Sequence, residues 1–194
     1  EKGIFQNSIG LAISKNNEPF QKVSNGPILD RSIHDPSFVA SCCVLKVESE
    51  WRMWYLSCLG WESQNEKLIH KYHIKEARSL DGMNWNRTGK ITIDFSDKDE
   101  YAISRPSVIF GGDKLRMWYS YRGLSYKIGY AESSNGSDWT RMDDQINPED
   151  FSDSWSLEMH EYPHVFIHKG QYFMLYNGDG YGKSGFGIAI LENG

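Results

Sequence analysis

The sequence predicts an all-β fold made of repeated four-stranded antiparallel sheets, the blades of a β-propeller, and three observations carry that expectation. The first is a turn-plus-tryptophan segment: Ala77-Arg78-Ser79-Leu80-Asp81-Gly82-Met83-Asn84-Trp85 returns as Ala131-Glu132-Ser133-Ser134-Asn135-Gly136-Ser137-Asp138-Trp139, and more weakly as Ala12-Ile13-Ser14-Lys15-Asn16-Asn17-Glu18-Pro19-Phe20. The second is Trp51-Arg52-Met53-Trp54-Tyr55-Leu56-Ser57, which returns as Leu115-Arg116-Met117-Trp118-Tyr119-Ser120-Tyr121 and as Gln171-Tyr172-Phe173-Met174-Leu175-Tyr176-Asn177. Met53, Met117 and Met174 are 64 and 57 positions apart, so the repeating unit is about 60 residues long. The third is local. Short segments rich in Val, Ile, Tyr, Trp and Phe alternate with Asp-Gly, Asn-Gly, Gly-Gly and Lys-Gly turns, and no long stretch carries a helical period.

Taken in order, residues 9–14 and 20–28 read as the last two strands of one blade within 1–30, followed by blades over 31–100 and 101–155 and an incomplete one over 156–194. In the clearest copy the strands are expected at 103–110, 115–121, 126–133 and 138–143, with Gly111-Gly112-Asp113 and Asn135-Gly136 as hairpin turns. The Asp/Asn-Gly pair supplies the positive φ of the turn, and the Trp three residues on folds back to pack between blades, so it is assigned no chemistry. Three units and two strands amount to about three and a half blades, too few to close a ring without leaving strand edges open. An N-terminal segment of about 100 residues, or another chain, is expected to complete it.

The 194 residues carry a net charge of −5, 14% aromatics and 24% charged side chains, with a mean hydropathy of −0.58. This suits a soluble domain and gives no reason to bind nucleic acid; no run of 18 apolar residues spans a membrane, and no signal peptide is visible. The odd number of cysteines, with Cys42 and Cys43 adjacent and Cys58 on the next strand, reads as reduced core thiols of a cytoplasmic protein rather than a disulfide framework or metal site. No cofactor is expected.

The chemistry is expected where the innermost strand of each blade lines the channel. Those strands are read from their prolines: His34-Asp35-Pro36, Ser104-Arg105-Pro106 and His160-Glu161-Tyr162-Pro163. The residues before each proline would then face one funnel and bring together His34, Asp35, Arg105, His160 and Glu161. Two carboxylates serve as acid and base or nucleophile on a glycosidic bond, and Arg grips hydroxyls or an anionic substituent. The alternative is a structural ion pair between Asp35 and Arg105. His160-Glu161-Tyr162-Pro163-His164 spells H-E-x-x-H, but Pro163 breaks the helix on which that motif binds zinc. Further sugar contacts are assigned to Asp179 in the glycine-rich segment 176–182, to Trp61 in a polar insertion running to His73, and to Arg122 in the equivalent connection one blade later, beside Tyr126.

With the units aligned, the chain resembles the five-bladed propellers of the glycoside hydrolase family 43, 32 and 68 superfamily, and a bacterial branch of it associated with surface-polysaccharide biosynthesis. The residues that carry the resemblance are Glu158-Met159-His160-Glu161-Tyr162-Pro163-His164-Val165-Phe166, Leu175-Tyr176-Asn177-Gly178, Gly185-Phe186-Gly187-Ile188-Ala189, Ile9-Gly10-Leu11-Ala12-Ile13-Ser14 and Tyr126-Lys127-Ile128-Gly129-Tyr130-Ala131. The resemblance covers the chain as the C-terminal two thirds of a longer protein. It implies a carbohydrate substrate or ligand, Glu161 as general acid and Asp35 as a second acidic residue. Two functions stay open: a glycan-processing hydrolase, or a propeller that binds a glycan without cleaving it.

Overall fold

The computed structural model describes residues 5–64, 67–151 and 153–191; residues 1–4 and 192–194, parts of the first and last expected units, lie outside these. Its thirteen strands are β1 (Ala12–Ile13), β2 (Gln21–Lys22), β3 (Phe38–Val47), β4 (Glu50–Gln64), β5 (Lys67–Ser79), β6 (Asn86–Ile93), β7 (Ala102–Gly111), β8 (Lys114–Arg122), β9 (Tyr126–Ser133), β10 (Thr140–Arg141), β11 (Glu161–His168), β12 (Gln171–Asn177) and β13 (Phe186–Ile190). They run as antiparallel meanders: β3-β4-β5-β6, then β7-β8-β9-β10, then β11-β12-β13, with the short β1-β2 pair ahead of them. A single parallel bridge, Tyr72 to Ala102, joins the first two meanders. β3, β7 and β11 begin their sheets and pack in sequence, β3 on β7 and β7 on β11, as innermost strands do.

The recurring Met-Trp-Tyr triplet explains the stacking. Because side chains alternate along a strand, Met53 and Tyr55 of β4 face back toward Leu29 and Ile9, while Trp54 faces forward into the core shared with Ile103, Met117 and Tyr119. One unit later Met117 and Tyr119 face back and Trp118 faces forward onto Val165 and Tyr176. β4 and β8 are therefore buried on both faces, which a polar–apolar alternation would not allow.

The turn-plus-tryptophan segment locks these layers. In one copy the Asp81 carboxylate accepts the amides of Met83 (2.8 Å) and Asn84 (2.7 Å), and Ser79 Oγ accepts the amide of Gly82 (2.9 Å), whose φ is 73°. In the other, Asn135 Oδ1 accepts the amides of Ser137 and Asp138 (2.9 Å each), and Ser133 Oγ that of Gly136 (2.8 Å; φ 71°). Asp81 with Asn84 becomes Asn135 with Asp138, so carboxylate and amide change places while the bond between them persists at 2.8 Å. Each indole then donates to its turn glycine: Trp85 to Gly82 (3.1 Å) and Trp139 to Gly136 (2.9 Å). Trp54 of the preceding sheet donates to the same Gly136 carbonyl (3.0 Å) and meets the Trp139 ring edge-on at 5.7 Å. The weak third copy lacks this: Phe20 is exposed.

Apart from the Tyr72–Ala102 bridge at the start of β7, the innermost strands have no β-partner on their channel side among the described residues, and side chains take over part of that role. Val108 donates its amide to Cys43 Sγ (3.3 Å), and one unit on Val165 donates its amide to Ser107 Oγ (2.8 Å).

Several expectations need correction. Residues 61–64 pair in register with 67–70, Trp61 with His70 and Gln64 with Lys67, and the register shifts between Cys58 and Gly60. The outer strand expected at 138–143 is only Thr140–Arg141, followed by a 3-10 turn at Asp143–Gln145. All three cysteines are free thiols, but Cys42 is exposed rather than in the core.

Trp155 stacks on Tyr176 (5.4 Å between ring centres) in a slot left open by Gly178 and Gly187. A methyl at Gly187 would come within 2.6 Å of the indole and 2.9 Å of the Tyr176 ring. Gly187→Ala is expected to cost about 1–3 kcal/mol through overpacking; an unchanged midpoint in urea unfolding would contradict this packing.

Candidate active site

The three innermost strands share a bulge, and the bulge builds the site. Register places Ala40 opposite Leu56, Ser104 opposite Ser120 and Glu161 opposite Asn177, with the ladder shifting immediately afterwards in each pair. The next residue is Ser41 (φ 41°), Arg105 (φ 52°) and Tyr162 (φ 58°) respectively, all in the left-handed region that non-glycine residues rarely adopt. Pro106 and Pro163 follow; an unpaired channel edge tolerates them because no ladder amide is lost there. A cleft of about 590 Å³ opens between the three strands, and Arg105 and Tyr162 are among the side chains that line it.

This register corrects the alignment of the proline segments. Ala40 holds the place of Glu161, and Cys42 that of Pro106 and Pro163, while Asp35 precedes β3 altogether. Asp35 is fully buried in a polar cluster between β4, β5 and β6: Arg87 donates to it (2.9 Å), the Tyr55 hydroxyl donates (3.1 Å), Ser32 donates (3.0 Å), and Lys75 Nζ lies 3.7 Å away. The alternative pair with Arg105 does not form: Asp35 is paired with Arg87 and Lys75. His34 sits beside it, half-buried, with its carbonyl accepting from Lys75 Nζ and its ring against Gly89.

Glu161 is the contrasting carboxyl. It has no exposed surface, and neither oxygen has a hydrogen-bond partner among the described residues. Burial lifts its pKa from 4.5 to about 7, against the opposing pull of Arg122 and Arg105. The next residue, Tyr162, starts a run of aromatic contacts that joins the second and third meanders. Tyr162, whose amide donates to Ser120 Oγ (2.7 Å), lies 5.9 Å from the Tyr126 ring, and Tyr126 lies 6.1 Å from Tyr181. The Tyr126 hydroxyl is bonded to that of Tyr72. Arg105 covers the face of Tyr162 at 4.9 Å. Arg122 lies over Tyr101 (5.6 Å) and Tyr126 (5.0 Å) and donates to the Tyr181 hydroxyl (2.9 Å). Tyr181 is itself left-handed (φ 63°) between Gly180 and Gly182.

Of the other expected contacts, Trp61 belongs to an aromatic cluster with Phe5, Phe38 and His70, and its buried indole N–H has no acceptor. Asp179 ties two loops together by accepting the amides of Glu158 (2.9 Å) and Met159 (2.8 Å). His160 stacks flat on Phe151 (4.7 Å), and burial lowers its pKa to about 4. Glu161 and His164 of the H-E-x-x-H run lie in strand β11, and among the described residues no group of three His, Cys, Asp or Glu side chains is placed to hold a metal ion. Tyr162 and Tyr181 complete the site without having been singled out. The only signal for Tyr162 was its place between Glu161 and Pro163.

No protein-family model matches the chain. Two relatives from two strains of Mycobacterium tuberculosis, both described as uncharacterized proteins, are 40% identical over 189 residues, which is 97% of this chain and 62% of theirs. The chain thus spans less than two thirds of those relatives. Among solved structures, a glycoside hydrolase superposes with a TM-score of 0.69 at 19% identity, over 93% of this chain and 55% of its own. A family 32 β-fructofuranosidase of Bombyx mori, in complex with sucrose, superposes with a TM-score of 0.60 at 16% identity, over 77% of this chain and 33% of its own. The chain therefore has the β-propeller fold of glycoside hydrolases.

Two outcomes follow from the two carboxyls. Asp35→Ala strands Lys75 and Arg87 without a counter-charge and is expected to cost about 3–5 kcal/mol; a loss no larger than that of an exposed ion pair in denaturant titrations would contradict a structural role. Glu161 holds a proton in the fold that it gives up when unfolded between pH 4.5 and about 7, so its contribution to stability falls as pH rises through that window. Glu161→Gln removes this loss. The variant should melt higher than the wild type above the window, the advantage shrinking toward its lower end; a pH-independent difference would refute a raised Glu161 pKa.

Proposed function

We propose that the site around Glu161 handles carbohydrate, and that Glu161 is the proton donor in cleavage of a glycosidic bond. The observation that carries this is a fully buried carboxyl with no hydrogen-bond partner among the described residues, whose pKa burial raises to about 7. A general acid needs that state: it gives its proton to the leaving oxygen as the C–O bond breaks, while a water adds to the sugar carbon and loses its proton to a base. The fold shared with glycoside hydrolases supports the reading, as do the aromatic faces of Tyr162 and Tyr181, suited to stacking on a sugar ring. Five blades around one channel, as the sequence resemblance implies, belong to the same reading. Because Glu161 is closed to solvent, a substrate reaches it only by moving side chains around it, and Arg105 and Tyr181 are the exposed ones.

One observation favours the second reading, a propeller that binds a glycan without cleaving it. The charges bearing on Glu161 are two arginines and no carboxylate, so the described residues supply no base beside it. Turnover of arabino-, xylo-, fructo- and manno-glycosides by the whole protein separates the two. Catalysis predicts a kcat/KM that declines above about pH 7 and is lost in Glu161→Gln with binding retained. Binding without turnover in the wild type selects the second reading, and turnover unaffected by Glu161→Gln refutes the assignment of the acid.

A further inference from the structure

We propose that the sugar taken at this site is acidic, and that Arg105 and Arg122 receive its carboxylate. The inference rests on the carbohydrate reading above and names the substrate class within it. It starts from how the arginines of this chain are paired. Arg52 has Glu76 at 2.8 Å, Arg87 has Asp35 at 2.9 Å, and Arg141 has Glu100 at 2.8 Å. Arg105 and Arg122 have no carboxylate partner among the described residues: Arg105 rests on the Tyr162 ring, and Arg122 lies against Tyr101 and Tyr126 with one bond to the Tyr181 hydroxyl and its buried Nε unsatisfied.

The acid closest to hand does not neutralise them. Both Glu161 oxygens lack hydrogen-bond partners, so the two guanidinium groups flank a carboxyl without pairing to it. A planar guanidinium binds a planar carboxylate through parallel N–H bonds, and a ligand carboxylate supplies the missing partner. Tyr162 and Tyr181 place rings beside the two arginines, as a sugar that presents both an apolar face and an acid group requires. Arg105, Tyr162 and Tyr181 are also three of the non-glycine residues with positive φ, and such strain is retained where the surrounding structure over-determines it. An arriving carboxylate further favours the neutral form of Glu161, so acid-sugar binding and the protonated acid support each other.

The test is calorimetric titration of the whole protein with methyl glucuronide and methyl galacturonide, and with methyl glucoside and methyl galactoside as neutral counterparts. The uronides are expected to bind at least about tenfold more tightly, with the advantage weakened by salt. Arg105→Met, at an exposed side chain, should bring uronide affinity down to that of the neutral sugars, and Arg122→Met should do the same if its circular dichroism and melting match the wild type. Glu161→Gln should bind uronides better than the wild type does above about pH 7, where the wild-type carboxyl ionises. Neutral sugars that bind as well as uronides, or uronide affinity unchanged in Arg105→Met, overturn the proposal and leave the carbohydrate reading standing. If neither kind of sugar binds at millimolar concentration, the carbohydrate reading fails and this inference with it.

Discussion

The second strand of each four-stranded meander is buried on both faces, and that is the constraint from which the remaining architecture follows. It is met by a three-residue alternation, Met and Tyr to one side and Trp to the other, repeated in β4 and β8 so that each second strand contributes to two cores. A sheet covered on both faces needs neighbours on both sides, and the turn-plus-tryptophan segment fixes how they meet. The Gly136 carbonyl accepts from Trp139 of its own sheet and from Trp54 of the sheet before. Arg52 strengthens the same joint. Its guanidinium, buried with Glu76 and Ser137, ties strands of one meander to the turn of the next.

Stacking of this kind converges the first strands of successive sheets, and their channel-side edges then have no strand to pair with. Cys43 and Ser107 answer that need by accepting the amides of Val108 and Val165. The bulges at Ser41, Arg105 and Tyr162 are the other consequence, and they turn an architectural edge into a site. A left-handed residue there redirects the chain, sets Arg105 and Tyr162 on the cleft, and leaves Glu161 just behind them in a place without solvent. The same geometry that denies Glu161 a partner leaves two arginines without one.

The two carboxyls that looked alike in the sequence illustrate how far the environment decides chemistry. Asp35 and Glu161 both precede a proline closely, and both are fully buried. Asp35 has Arg87, Lys75, Tyr55 and Ser32 around it and is an ion-paired structural anchor; Glu161 has no such partner among the described residues, and burial raises its pKa to about 7. Proline was a misleading guide because it marks a bulge only where the register places it, as at Pro106 and Pro163, and Pro36 lies before its strand begins. The true counterpart of Glu161 in the first meander is Ala40, which no side-chain chemistry would have flagged.

The sequence by itself determined the all-β class, the repeat, the first three strands of the clearest unit and the structural part played by the turn tryptophans. These are local properties: a period of two, a glycine where φ must be positive, an aromatic at a constant distance from it. It also singled out Glu161, Arg105 and Arg122 among the polar residues. Tertiary structure alone decided which of them share an environment, that Asp35 is paired with Arg87, and that Tyr162, Tyr126 and Tyr181 come together. The reason is that register, bulge position and desolvation depend on strands tens of residues apart, and a carboxyl's protonation state depends on the groups that reach it through space.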